Sequence, residues 1–256
     1  MTIFVSFNPR IMIDNRNFEE VSIDREVEGF TIAKDLVEHL FCEMIKHSLQ
    51  FAKTTLLDLP YTFSERSLDG ILLPALSKLC KSQVLVEYPV TRRESSRYDE
   101  DKESSGRIDY WCIYKDYSFV IELKHSYDCF TTPETREDKV TSRWIKMNEQ
   151  LESVKQEVKE YEENTRGIIR LGLHIITSYS DKAPEKQLIA QFKNSISDTF
   201  KRFQRDLAKP NRSQKPDLLI CWKIPSRVVM RGEHTYPGLW CIAKIYPAIK
   251  HRGAPR

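Results

Sequence analysis

The sequence predicts an α/β (α+β) domain in which helices flank a central mixed β-sheet. Between residues 60 and 180, helical and strand patterns follow one another in the order helix, strand, strand, strand, helix, strand. The last of these strands, Ile168–Ser178, is apolar on both faces, as is typical of a strand covered by helices on both sides of a sheet. The length of 256 residues suits one large domain.

Composition and charge exclude several classes of protein. The chain is 40% hydrophobic and 30% charged with a net charge of +3, so any basic surface for nucleic acid must be local. No apolar run reaches the roughly 18 residues that span a bilayer, and the N-terminus has no signal-peptide pattern. Six cysteines without a CxxC pair predict buried, reduced thiols in a cytoplasmic protein.

The single domain divides into three parts along the chain. Residues 1–59 contain a predicted strand, Ile3–Phe7, and a helix that begins at Thr31. Residues 60–180 form the predicted core, and residues 181–256 extend the sheet. The apolar stripe of the first helix recurs at helical spacing through Ile32, Leu36, Leu40, Phe41, Met44, Ile45 and Leu49.

The core begins with a helix over Ser64–Leu79. Its apolar residues fall on one stripe, and Glu65 lies one turn before Leu68 on that stripe, so Glu65 faces the core side. A carboxylate in the first turn also complements the helix dipole, which is a purely structural explanation. A strand over Val84–Val90 and a polar loop over Arg92–Ser105 follow.

Gly106–His125 has the pattern of a β-hairpin. Two apolar runs, Ile108–Tyr114 and Ser118–Leu123, flank a polar turn. A two-residue loop at Asp116-Tyr117 would pair Asp109 with Lys124.

In that pairing, Asp109, Glu122 and Lys124 share one face, because side chains alternate along a strand. Asp109 and Glu122 would be roughly 7–8 Å apart. Three charged groups on an apolar hairpin are costly to bury without a partner, and a divalent cation would be one. The simpler explanation is a buried hairpin in which Lys124 neutralises a carboxylate.

Asp109, twelve intervening residues and then Glu122-Leu123-Lys124 resemble the motif of the PD-(D/E)xK nuclease superfamily. The residue before the aspartate is Ile108 instead of proline. The resemblance implies a restriction-endonuclease-like αβββαβ core with C-terminal additions. It also implies that Asp109, Glu122 and the Leu123 carbonyl bind Mg²⁺, with Mn²⁺ as a substitute, and that Lys124 positions the attacking water.

The resemblance also extends to the helices on either side of the motif. It assigns an acidic residue of the first core helix to the site, for which Glu65 is the best match and Asp69 the competitor. An irregular stretch, His125–Thr141, precedes a long amphipathic helix over Val140–Glu163. By resemblance, Gln150 on that helix lies next to the metal site.

The C-terminal part adds a helix over Pro184–Leu207 and strands over Asp217–Lys223 and Gly238–Ile245. The helix buries an apolar stripe, and its other face has the densest run of basic residues in the chain. A solvated face is the ordinary explanation, and contact with phosphates is the functional one. The candidates for nucleic-acid binding on it are Lys193, Lys201, Arg202 and Arg205.

The function implied by the resemblance is a metal-dependent endonuclease acting on nucleic acid, with DNA expected before RNA. It further implies a homodimer and a partner such as an ATPase or a defence or repair subunit, and no membrane. Two alternatives stay open. One is a catalytically silent nuclease-fold subunit that binds nucleic acid or a partner protein, and the other is a small-molecule hydrolase on an unrelated α/β scaffold.

Overall fold

A computed structural model describes most of the chain and confirms the predicted fold class. A mixed sheet of eight strands is covered by helices on both faces. The described residues are 18–22, 28–54, 59–93, 103–132, 137–154, 165–181, 186–208, 214–224, 230–231 and 234–250. The predicted strand Ile3–Phe7 lies outside them.

The described residues form four α-helices and eight strands. The helices are α1 (Phe30–Thr54), α2 (Glu65–Leu79), α3 (Glu137–Ser153) and α4 (Lys186–Asp206). The strands are β1 (Phe18–Ser22), β2 (Val84–Arg93), β3 (Glu103–Tyr114), β4 (Tyr117–Cys129), β5 (Gly167–Ser180), β6 (Leu218–Lys223), β7 (Met230–Arg231) and β8 (His234–Lys250). From α2 to β5 the order is the predicted one of helix, three strands, helix and strand.

The sheet has the strand order β1-β6-β8-β5-β4-β3-β2, and β7 pairs with β8. β4 and β5 are parallel and are connected through α3, whereas the other neighbouring strands are antiparallel. The two parallel strands lie in the middle of the sheet, which explains why their sequences are apolar on both faces. β6 and β8 extend the sheet, as predicted.

Two hydrophobic cores separate the sheet from its helices. Phe119, Ile121 and Leu123 of β4 face α1 and α2, and Val120 faces α3 and α4. α3 packs closely on the centre of the sheet, because a Cβ at Gly172 of β5 would lie 2.6 Å from Met147 Cε. Gly172 is the register partner of Glu122, so α3 lies directly beside the candidate site.

The turn between β3 and β4 comes one residue earlier than predicted. It is formed by Lys115 and Asp116, with φ of 46° and 65°, and a two-residue hairpin turn of type I′ requires positive φ at both positions. Tyr110 therefore pairs with Ile121, and the predicted pairing of Asp109 with Lys124 is wrong by two residues. An even shift leaves side chains on their original faces, so the predicted grouping survives the error.

β4 continues through residues that were predicted to be irregular. It runs to Cys129 because its polar side chains find buried partners. Ser126 Oγ lies 2.7 Å from His174 Nε2, and Arg202 Nη2 donates to Asp128 Oδ2 at 2.6 Å. These partners come from β5 and α4, far away in the sequence.

Two further boundaries differ from the prediction. β2 reaches Arg93 and β3 begins at Glu103, so the predicted loop is too long at both ends, and its middle, 94–102, lies outside the described residues. α3 ends at Ser153 because Val154 forms a β-bridge with Arg92. The rest of the predicted helix, 155–163, also lies outside the described residues.

Two smaller predictions concern membranes and cysteines. Among the described helices, none is long and apolar enough to cross a membrane. All six cysteines are free and buried, as predicted.

Candidate functional site

The candidate site lies where β3 and β4 separate. Their pairing runs from Tyr114 opposite Tyr117 to Tyr110 opposite Ile121 and then ends. β3 continues along β2 and β4 continues along β5. The β3-facing edge of β4 is therefore open from Glu122 onward.

Two acidic side chains bind the backbone of this open edge. The Leu123 N–H donates to Asp109 Oδ2 at 2.6 Å, and the His125 N–H donates to Glu65 Oε2 at 2.7 Å. Alternate N–H groups of a strand point to the same side, so these carboxylates replace the carbonyls that β3 would have supplied. The structure thus brings Glu65 of α2 and Asp109 of β3 to the same short segment of β4.

Asp69, the competitor for the role of Glu65, and Glu87 of β2 are placed differently. Asp69 lies one turn further along α2 and accepts a hydrogen bond from the Tyr110 hydroxyl. It raises the pKa of Asp109 less than Glu65 does. Glu87 is 67% exposed and pairs with Arg107 at 3.1 Å, so it faces solvent.

Glu122 and Lys124 form a mostly buried ion pair at the same edge. Lys124 Nζ lies 2.9 Å from Glu122 Oε1, and the two side chains are 13% and 3% exposed. Lys124 Nζ also donates to the Leu123 carbonyl at 2.9 Å. One ammonium group therefore contacts two of the three groups expected to bind a metal.

Both candidate metal-binding carboxyls have raised pKa values. Burial is the largest cause for each, and the Asp109 carboxylate raises the pKa of Glu122 further. Lys124 acts in the opposite direction on both groups. The ionised forms are thus held in surroundings that only partly compensate them.

Arg92 is a component of this site that the sequence did not reveal. Its Nη2 lies 3.7 Å from Glu122 Oε2 and donates to the Arg107 carbonyl at 2.5 Å. Gly106 makes room for it, since a Cβ there would lie 2.3 Å from Arg92 Nε. In the sequence, Arg92 begins a run of polar and charged residues and nothing distinguishes it from its neighbours.

Gln150 lies on the flank of α3 that borders the site. Its backbone carbonyl accepts a hydrogen bond from Arg92 Nη1 at 2.8 Å. Its side-chain Oε1 is buried without a hydrogen-bond partner in the described residues. The structure therefore connects Gln150 to the site through Arg92.

The basic residues of α4 are mostly occupied by neighbouring acids. Arg202 is paired with buried Asp128 and is only 15% exposed, so its guanidinium is engaged within the fold, and its contact with phosphates stays a prediction. Arg205 Nε lies 2.9 Å from Asp206 Oδ1. Lys201 lies 3.2 Å from Asp198, and Lys193 is exposed.

Two buried histidines support β4 and β5 beside the site. His125 Nε2 lies 3.0 Å from Thr177 Oγ1, and His174 stacks on Trp144 of α3. Burial lowers the pKa of His125 to about 4 and that of His174 to about 3, so both rings are neutral at physiological pH. His174 thus packs in the core.

The donor set suits a hard divalent cation. Glu122 Oε2 is buried and has no hydrogen-bond partner among the described residues. Carboxylate and carbonyl oxygens are the ligands that Mg²⁺ takes, and Mg²⁺ retains several waters. Within the described ranges, no group of three or more His, Cys, Asp or Glu side chains is arranged to hold a metal. An ion here would rely on two carboxylates, the Leu123 carbonyl and water.

Comparison with known proteins adds little to this description. No protein-family model matches the chain, and neither does any curated protein. A solved structure described as "Crystal structure of SSO0001" is 15% identical, with 59% of this chain and 65% of that chain covered and a TM-score of 0.21. A likeness this weak carries no argument about fold or function, so the protein is defined here by its mixed α/β sheet and its acidic strand edge.

Proposed function

We propose that the protein is a metal-dependent nuclease that hydrolyses phosphodiester bonds of nucleic acid, with DNA expected before RNA. The observation that carries the proposal is the open edge of β4, where Asp109, Glu122 and Lys124 converge and Glu122 keeps one buried oxygen that has no hydrogen-bond donor among the described residues. A purely structural ion pair gains nothing from that arrangement, because a buried, unsatisfied carboxylate oxygen is destabilising.

Each residue has a distinct role in the proposed reaction. Asp109, Glu122 and the Leu123 carbonyl would hold Mg²⁺ or Mn²⁺, which supplies positive charge to the reacting phosphate and lowers the pKa of water. Lys124, held by Glu122 and the Leu123 carbonyl, would orient the attacking water. Glu65 would position this segment by holding the His125 N–H.

Plasmid nicking with added Mg²⁺ or Mn²⁺, and with EDTA, tests the proposal. Wild type should nick only with metal, and Asp109→Asn, Glu122→Gln and Lys124→Met should each lower the rate by about 100-fold or more. Glu87→Gln is the matched control, because it neutralises an exposed carboxylate on the adjacent strand. Nicking that persists in Asp109→Asn would place the chemistry elsewhere.

The silent nuclease-fold subunit is the second candidate, and Arg92 favours it. Its guanidinium lies near the free oxygen of Glu122, and Asp109 and Glu65 already bind backbone N–H groups. These contacts would satisfy the acids without metal. Wild type that binds DNA but does not nick it with either metal would support this candidate.

A further inference from the structure

The charges of α3 lie on two different sides of the helix. Lys139, Arg143 and Lys146 are spaced i, i+4 and i+7, which places them on one flank, and all three are exposed. Glu149 and Glu152 are exposed on another side of the helix. We call the first group the basic flank.

The contacts of α3 determine where the basic flank lies. Arg143 Nη1 is 3.9 Å from Glu65 Oε2 of the candidate site. On the same side, one to two turns beyond Lys146, the Gln150 carbonyl and the Ser153 hydroxyl accept hydrogen bonds from Arg92. Glu152, by contrast, accepts a hydrogen bond from the Tyr246 hydroxyl of β8. The basic flank therefore borders the site, and the acidic side faces β8.

We propose that the basic flank binds the sugar–phosphate backbone of the nucleic acid that enters the site. This inference rests on the proposed function, since it concerns the substrate of that site. An acidic centre repels a polyanion, so cations beside it are needed to bring the substrate in. Among the described residues, the only ion pair of the flank is the long one between Arg143 and Glu65, whereas Lys201, Arg202 and Arg205 of α4 each pair with an aspartate.

The dimensions of the flank agree with this role. Lys139 and Lys146 are seven residues apart, which corresponds to about 10 Å along the helix axis. Phosphates of one DNA strand rise about 3.4 Å per step along the duplex axis, so the flank matches roughly three steps in that direction. A short section of one strand could therefore lie along α3 with its scissile bond at the open edge of β4.

Two double variants that remove the same charge test the inference. Lys139→Gln/Lys146→Gln alters the basic flank, and Lys193→Gln/Lys201→Gln alters α4, while Arg143 stays native because it contacts Glu65. Affinity for a labelled DNA duplex is measured by fluorescence anisotropy in EDTA between about 50 and 200 mM salt. We expect the α3 variant to bind about tenfold more weakly and to reduce the salt slope by about 2, and the α4 variant to change affinity less than about threefold. Melting temperatures verify that both variants fold.

Each outcome separates this inference from the proposed function. If the α4 variant weakens binding as much as the α3 variant, or if neither does, the basic flank is not the binding surface, and wild-type nicking would still establish the nuclease. If wild type binds DNA without nicking it and the α3 variant binds more weakly, the nuclease proposal fails and the flank stands as the surface of a binding subunit. Wild type that binds no nucleic acid would overturn both.

Discussion

At the level of single residues, opposing interactions act on the pKa values of the two acidic groups of the candidate site. Burial and mutual repulsion raise the pKa of Glu122, while Lys124 and Arg92 favour its ionised form. Asp109 gains one backbone hydrogen bond, yet its pKa is still raised. The metal-free site is thus less stable than a fully compensated ion pair would be, as is common where function limits stability.

We therefore expect Asp109→Asn and Glu122→Gln to abolish cleavage and to leave the free energy of unfolding within about 1 kcal/mol of metal-free wild type. Asn and Gln can still accept the hydrogen bonds from Leu123 N–H and Lys124, and both variants remove the repulsion. Thermal melting with and without Mg²⁺ is the measurement, with Glu87→Gln as control. Wild type and the control should be stabilised by the ion and the two site variants should not.

A structural salt bridge would give a different result in the same melting experiment. Glu122→Gln would then leave the Lys124 charge uncompensated and cost roughly 3–5 kcal/mol. None of the proteins would respond to Mg²⁺. That pair of observations would contradict the metal site.

The sequence could predict the grouping of Asp109, Glu122 and Lys124 but not Arg92. The three residues follow from alternation along two adjacent strands, which is local information. The position of Arg92 depends on β2 continuing to Arg93 and on Gly106 leaving space across the pair of strands. Neither condition is visible in the sequence around Arg92.

At the level of elements, Arg92 connects the β2–β3 pair to α3. It donates to the carbonyl of Gln150 and to the hydroxyl of Ser153 on the helix, and to the carbonyl of Arg107 on β3. β2 is an edge strand with contacts to β3 on one side, so these bonds hold the end of β2 next to the site. The conformation of the site depends on this connection.

We expect Gly106→Ala and Arg92→Ala to act on the same interaction. Each should lower the free energy of unfolding by about 1–3 kcal/mol, because each removes hydrogen bonds from a charged group. In the Arg92→Ala background, Gly106→Ala should cost little, since its Cβ would no longer meet the guanidinium. Urea unfolding of the four proteins measures the coupling. Additive costs would contradict the structural account.

A second connection between elements is the ion pair between Glu20 of β1 and Lys34 of α1. The stability of this region should depend on pH. Lys34 Nζ lies 3.1 Å from Glu20 Oε1 and 3.6 Å from Glu38 Oε1, so one lysine serves two carboxylates. Burial and then repulsion from Glu20 raise the pKa of Glu38 from 4.5 to about 7. The folded state therefore binds the proton of Glu38 more tightly than the unfolded state does. The contribution of Glu38 to the free energy of unfolding is complete below pH 4.5 and is lost as the pH rises towards 7.

Glu38→Gln should accordingly be more stable than wild type at pH 8, on the order of 2 kcal/mol, and similar to it at pH 4.5. Gln remains neutral at both pH values and so avoids the cost that ionised Glu38 incurs. Urea unfolding at the two pH values measures the difference. The exposed Glu149→Gln is the control, and an equal effect of that variant would exclude a specific role for Glu38.

The limits of sequence interpretation at this scale are clear in β4. The sequence predicts its apolar first half but assigns His125–Asp128 to the start of an irregular stretch. In the structure His125, Ser126 and Asp128 are buried and bonded to Thr177, His174 and Arg202 respectively. Partners so distant in sequence cannot be found from local patterns.

At the level of the whole molecule, strand order is the feature that local patterns leave open. β8 lies between β5 and β6, and β1 pairs with β6, so the first and last described strands lie on one side of the central strands. The site lies on the other side, between β4 and the β2–β3 pair. Patterns of apolar residues predict that these strands exist but contain no information about their neighbours.

The central strands also determine how the whole fold responds to acid. His125 and His174 are buried and neutral, with pKa values of about 4 and about 3, and an unfolded histidine titrates near 6.5. Below pH 6.5 the unfolded chain binds protons that the folded chain rejects, so these residues stabilise the fold fully above pH 6.5. Their contribution decreases as the pH falls towards 4, by up to about 1.4 kcal/mol per pH unit for each histidine.

Replacing both histidines by glutamine should reduce this dependence. Nε2 of His125 lies within hydrogen-bond distance of Thr177, and Nε2 of His174 lies within that distance of Ser126. Gln places a polar atom near the position of Nε2 but does not titrate. Free energies of unfolding in urea, measured from pH 7 to pH 4, should fall less steeply for His125→Gln/His174→Gln, by up to about 2.7 kcal/mol per pH unit in the middle of the range. The exposed His234→Gln is the matched control and should retain the wild-type slope. If the double variant keeps that slope too, the acid sensitivity comes from carboxylates whose pKa is lowered in the folded state, such as Asp35 beside Lys115 and Glu43 beside Lys46 and Lys78.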